Sequence, residues 1–194
     1  MPIFPDLDID NRKDNPMNLI LPGYETLWRV VLRCYLELTS RQHGSQDEWQ
    51  RIVQAFADRP TPETLGMDKT GLTAKRLARE ALRLYPPTRR VYREYQDGEG
   101  QTPERWVQLE TANQMGKIEI VDFMPFGTKP FMCPAKRSLS GKLPFGYAMV
   151  ALLVGVLVKE TRDMWEVQSP LPAKEIPLAT GREDYADLLL SRVF

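Results

Sequence analysis

From Pro125 to Ala135 the chain reads Pro-Phe-Gly-Thr-Lys-Pro-Phe-Met-Cys-Pro-Ala, and no other stretch limits the fold as strongly. Pro125, Pro130 and Pro134 fix φ at their positions, and Gly127 lets the backbone adopt a conformation closed to most side chains. The result is a stiff loop around Cys133, the reactive residue of the segment. Phe126 and Phe131 are expected to supply apolar bulk around the sulfur and so to shield a thiolate. The same residues are open to a plainer reading, a buried and inert cysteine in an ordinary loop.

Composition bounds what surrounds this loop. With 194 residues, 42% hydrophobic and 27% charged, the chain can bury one sizeable core, and a single domain over residues 16–194 is expected. Lys+Arg 26 against Asp+Glu 26 leaves no net field, so charge points to neither nucleic acid nor an anionic membrane. Two cysteines without framework spacing, and an N-terminus unlike a signal peptide, point to a reducing, cytoplasmic setting. Met1 to Asn15 is expected to be a poorly ordered lead-in, with no apolar run that could anchor a membrane.

Hydrophobic periodicity predicts a mainly α chain, α+β with little sheet. Leu27, Val30, Val31, Cys34 and Leu38 recur at the spacing of one buried face, which predicts a helix from Pro16 to about Leu38 and places Cys34 in the core. Within it, Pro22-Gly23 is expected to open one turn of the backbone ladder. Trp49, Ile52, Val53 and Phe56 predict a second helix over 42–58, preceded by His43 in a turn composition that reads as exposed and not a ligand. Pro60-Thr61-Pro62-Glu63 and Gly66 mark a loop. Thr73 is a plausible N-cap for a helix to Tyr85, stopped by Pro86-Pro87, on which Glu80 and Arg83 share a face. Pro144 to Val158 is apolar nearly all round yet shorter than a membrane span, and reads as a buried core helix. Met164-Trp165-Glu166-Val167 predicts a short strand or loop, and Asp184 to Val193 a terminal helix.

Cys133 has one other cysteine and one histidine in the whole chain to work with, a poor zinc set. One thiolate on a haem iron needs no companion from the chain, because the porphyrin supplies the in-plane ligands. At these residues the sequence resembles the cytochrome P-450 haem-thiolate monooxygenases. Phe126 lies seven positions before Cys133, as the family's cysteine-loop phenylalanine does, and Pro-Phe-Gly before and Cys-Pro-Ala after also fit. Where the family often carries a glycine and a basic residue in the loop, this chain has Lys129 and Phe131. Pro22-Gly23-Tyr24-Glu25-Thr26 is similar to the family's distal-helix motif. Glu80-Ala81-Leu82-Arg83 with Pro86-Pro87 is similar to its Glu-x-x-Arg helix and stop, and Pro103-Glu104-Arg105-Trp106 to its Pro-Glu-Arg-Phe motif.

The resemblance covers Pro16 to Val158 and implies the C-terminal, haem-loop-bearing portion of a P-450-like fold, truncated relative to the family. It implies a haem held by the Cys133 thiolate with Phe126 and Gly127 in the cofactor loop, and a structural ionic cluster of Glu80, Arg83 and Arg105. Thr26 would orient dioxygen and Glu25 relay the protons that its O–O bond must receive before splitting. The reaction implied is insertion of one oxygen atom into a small apolar organic substrate, with electrons from a reductase and a complementing N-terminal half as further partners. Arg89, Arg90, Arg93, Lys129, Lys136 and Arg137 are either a basic face for that donor or solvated charge. A non-enzymatic relic or interaction module that binds haem weakly or not at all is the alternative from another functional class.

Overall fold

Leu27, Val30, Val31, Cys34 and Leu38 lie on one helix, α1 (Met17–Thr39), and four of the five are buried, with Leu27 half-buried at the edge. The computed structural model describes residues 17–41, 43–67, 71–86, 90–91, 107–108, 125–127, 133–136, 143–173, 176–181 and 183–193. The expected lead-in over residues 1–15 lies outside these. The chain is mainly helical: α1 is followed by α2 (Gln46–Asp58), α3 (Pro62–Leu65), α4 (Ala74–Leu84) and α5 (Phe145–Thr161). A single 3-10 turn (Pro134–Lys136) precedes α5. Two separate antiparallel ladders complete the described residues. β1 (Arg90–Val91) pairs with β2 (Val107–Gln108), and β3 (Trp165–Val167) pairs with β4 (Leu190–Arg192) in the register Trp165 to Arg192 and Val167 to Leu190.

No residue of the stretch 26–41 is exposed, so α1 is the strut that α2, α4 and α5 cover. It runs unbroken through Pro22 and Gly23, contrary to the expected opened turn. Proline withholds one amide donor, and the turns on both sides carry the helix across that gap. The C-terminus of α1 is satisfied by side chains: Gln50 of α2 donates to the Leu38 carbonyl at 2.6 Å, and Thr39 Oγ1 donates to the Tyr35 carbonyl at 2.8 Å. Thr73 caps α4, its hydroxyl accepting from the Arg76 amide at 3.2 Å. The expected loop over 60–66 contains the single-turn α3. Thr61 and Thr64 cap each other there, and Gly66 at φ +80° ends the turn.

Helix α5 buries Gly146, Val150, Ala151, Val154, Gly155 and Val158 against the core. Gly155 touches α2 directly, for a Cβ there would meet the Val53 carbonyl and lie 2.8 Å from the Ala57 methyl group. The opposite face carries Phe145, Val156 and Leu157, which stay more than a third exposed, so the expected all-round burial of this helix is corrected to burial on one side. Among the described residues no helix is long and apolar enough to cross a membrane.

The expected terminal helix over 184–193 is replaced by a turn and β4. The cause is Tyr185, which sits at φ +67°, outside right-handed helix geometry. Its hydroxyl accepts from the Ala179 amide at 3.0 Å, and its ring lies 5.4 Å beneath the Arg33 guanidinium. Arg33, only 1% exposed, donates Nε to the Ala179 carbonyl at 2.9 Å and Nη2 to the Gly181 carbonyl at 3.0 Å. Two residues past the end of the same helix, Arg41 donates Nη2 to the Ala173 and Ile176 carbonyls at 2.5 and 2.7 Å. The tail is thus fastened by two buried cations, Arg33 on α1 and Arg41 just past its end, and Leu178 between them fills the core. Arg33→Ala is expected to cost about 2–4 kcal/mol, from lost packing and lost charge-assisted bonds, read as a lower urea midpoint. Arg33→Lys, which keeps the charge without the fork, is expected to recover only part of the loss.

Candidate thiol site

Pro125, Phe126 and Gly127 enter the site as a turn, with Gly127 at φ +66°, a conformation that costs a side-chain-bearing residue strain. On the other limb, Cys133 opens the 3-10 turn, its carbonyl accepting from the Lys136 amide at 3.1 Å. The two limbs are joined by one bond: the Cys133 amide donates to the Phe126 carbonyl at 2.7 Å. This bond ties together the two residues that the seven-residue interval separates. Residues 128–132, including Lys129 and Phe131, lie outside the described residues.

Phe126 does not wrap the sulfur. Its ring stands edge-on to Tyr147 of α5, with centroids 5.2 Å apart and planes at 86°, and lies against Gly146. Cys133 is exposed, so the expected shielding of its thiol by Phe126 is corrected. The apolar bulk goes into docking the loop on α5.

The second cysteine differs in every respect. Cys34 is buried in α1, where desolvation, followed by the nearby Glu37 carboxylate, pushes its thiol up to about 12. A thiol so raised is an inert packing atom at neutral pH.

Thr26 lies half-buried on α1, one turn before the core residue Val30. Glu25 precedes it on the same helix, and its side chain is outside the described residues, as is Arg105. Glu80 and Arg83 make a forked pair, Nε to Oε2 at 2.7 Å and Nη2 to Oε1 at 2.5 Å. Arg83 Nη1 is buried and has no hydrogen-bond partner among the described residues. The Glu80 side chain is 50% exposed, so the pair is not in the dry interior expected for a buried ionic cluster.

A polar cluster that periodicity did not single out sits at the C-terminal end of α1. Glu37 accepts from Arg41 Nη1 at 2.7 Å, from the Tyr85 hydroxyl, and bonds His43 Nε2 at 2.7 Å. His43, expected to be exposed, is half-buried and packs its ring 5.1 Å from that of Trp49. The Glu37 to Arg41 spacing of four was the available signal, but a helix pair reads as surface charge until its surroundings are known. Burial, then the bond to Glu37, raises the Tyr85 hydroxyl above its ordinary value.

Among the described residues no three histidine, cysteine or carboxylate side chains converge to hold a bare metal ion. Cys133 is exposed and its amide is tied to Phe126, so a single thiol is what this loop offers among the described residues. In comparisons with known proteins, no family model, no curated protein and no solved structure matches the chain.

Three outcomes are expected. A thiol-labelling reagent should modify one cysteine, Cys133, in the native protein and two after denaturation, counted by mass. The raised Cys34 thiol also carries a sign: the unfolded chain loses this proton above about pH 9 while the folded chain holds it to about 12, so stability falls across that window. Cys34→Ala should flatten the wild-type decline there, by up to about 1.4 kcal/mol per pH unit. For the ion pair, Glu80→Gln is expected to cost about 1 kcal/mol in chemical denaturation, because a half-exposed carboxylate is screened by water.

Proposed function

We propose that this chain is a haem-thiolate protein, the C-terminal catalytic portion of a cytochrome P-450-like monooxygenase acting on a small apolar organic substrate. The observation that carries the reading is the bond from the Cys133 amide to the Phe126 carbonyl, which fixes an exposed thiol where the two limbs of the loop meet. When bound, the haem supplies the redox and oxygen chemistry, and the protein supplies ligation, orientation and proton handling.

In this reading the Cys133 thiolate would hold the haem iron, Phe126 and Gly127 would shape its loop, and Thr26 and Glu25 on α1 would supply a hydroxyl and a carboxylate for orienting dioxygen and relaying protons. Glu80 and Arg83, with Arg105 as third member, support the loop from α4 and take no part in the chemistry. The electron donor is a reductase, and an N-terminal half completes the substrate pocket.

One observation favours a second reading, a non-enzymatic interaction module. The exposure of Cys133 leaves its sulfur in water, where a haem-thiolate bond is easily protonated and lost. The carbon-monoxide difference spectrum of the reduced protein after haem addition separates the two. A red-shifted Soret band of thiolate ligation is expected, abolished by Cys133→Ala and retained by Cys34→Ala. No haem uptake, or equal loss in both variants, sinks the catalytic reading.

A further inference from the structure

Both limbs of the thiol loop end on the same spot of α5. From the N-terminal limb, the Phe126 ring lies where a Cβ on Gly146 would be, in steric conflict with ring carbons Cζ and Cε1. From the C-terminal limb, the Ala135 carbonyl lies 3.1 Å from that same Cβ position. Gly146 is buried in the first turn of α5, and its φ is ordinary, so backbone conformation does not require glycine here. Space does. The neighbouring Tyr147 ring braces Phe126 edge-on from the side, and the Phe126 carbonyl in turn receives the Cys133 amide. A short path therefore runs from a bare Cα on α5, through one aromatic ring and one hydrogen bond, to the residue that bears the thiol.

We propose that Gly146 is a positioning residue for the Cys133 thiol, setting where the sulfur stands by admitting the Phe126 ring and the Ala135 carbonyl to the surface of α5 at once. This inference rests on the reading of Cys133 as a haem ligand for its consequence, and on the geometry of the loop alone for its placement. A side chain at 146 has to push one limb away, and aromatic ring and backbone carbonyl cannot both yield without moving the bond between them. Gly155, half a turn round the helix and nine residues on, does the same job toward α2 and has no route to the loop, so it serves as the control position.

The experiment compares the full chain with Gly146→Ala, Phe126→Leu, the double variant and Gly155→Ala, with helix content by circular dichroism confirming the fold. The readouts are hydrogen exchange at the Cys133 amide, measured without haem, and the position and size of the carbon-monoxide band after haem addition. In Gly146→Ala the Cys133 amide is expected to exchange about tenfold faster and the thiolate band to fall. The double variant, in which the smaller side chain makes room for the new methyl group, is expected to return exchange toward the wild-type rate. Gly155→Ala should lower global stability and leave the Cys133 amide protected relative to its neighbours. Wild-type exchange and an unchanged band in Gly146→Ala overturn the proposal while leaving the haem reading intact. If the wild type takes up no haem, that reading fails and the exchange data alone decide the seat. Should Gly146→Ala not fold, Phe126→Leu empties the same contact without overfilling it, and unchanged Cys133 exchange there overturns the proposal.

Discussion

Burying a guanidinium is expensive, and two are buried here, Arg33 on α1 and Arg41 just past its C-terminal end, eight residues apart along the strut that α2, α4 and α5 pack against. What makes this tolerable is that each finds several acceptors. Arg33 spends its fork on the Ala179 and Gly181 carbonyls and lays its plane over Tyr185, while Arg41 divides its donors between Glu37 and two more tail carbonyls. Desolvation still lowers the Arg33 pKa, but from a value so high that the charge survives at any pH the fold does. These bonds fasten the tail to α1. Without them Tyr185 would have no reason to hold a left-handed backbone, and the segment leading to β4 would be free to take the helical form its apolar spacing favours.

The same economy of one strut and several attachments recurs at α5. Gly146 and Gly155 sit at the two margins of its buried face and let backbone or ring approach closely, the thiol loop at one margin and α2 at the other. Between them Val150, Val154 and Val158 are essentially without solvent. Tyr35 of α1 reaches the end of the helix, donating to Thr161 Oγ1 at 2.9 Å, so α5 is pinned at both ends. A helix so constrained is a firm platform for a loop whose limbs are tied by the bond from the Cys133 amide to the Phe126 carbonyl.

The parts of this architecture that are legible in the sequence are those that repeat. Val30, Cys34 and Leu38, Val53 and Phe56, and Leu77 and Ala81 announce their helices because an amphipathic period needs no knowledge of the partner. Thr73 reads as a cap for the same reason, its acceptor being three residues away. What escapes are features defined by distant contacts or by a single turn. α3 has no period, only two threonines that cap one another. Tyr185 breaks its predicted helix because of an arginine far back in the chain. His43 has turn residues for neighbours and is half-buried only because α1 brings Glu37 to it. At the thiol site, the interval from Phe126 to Cys133 and the need for glycine at 127 are visible in the chain. The destination of the Phe126 ring is not, because the glycine that receives it lies twenty residues later among apolar neighbours that mask its role.

The tail clamp has one more consequence. Arg33 and Arg41 grip Ala173, Ile176, Ala179 and Gly181 by their carbonyl oxygens, and every amino acid carries that oxygen. The grasp is therefore indifferent to side-chain identity along the strap, apart from Leu178, whose bulk is interior. Such an attachment lets the outward surface of the strap drift in sequence, acquiring or shedding charge and bulk, while its path across the molecule stays put.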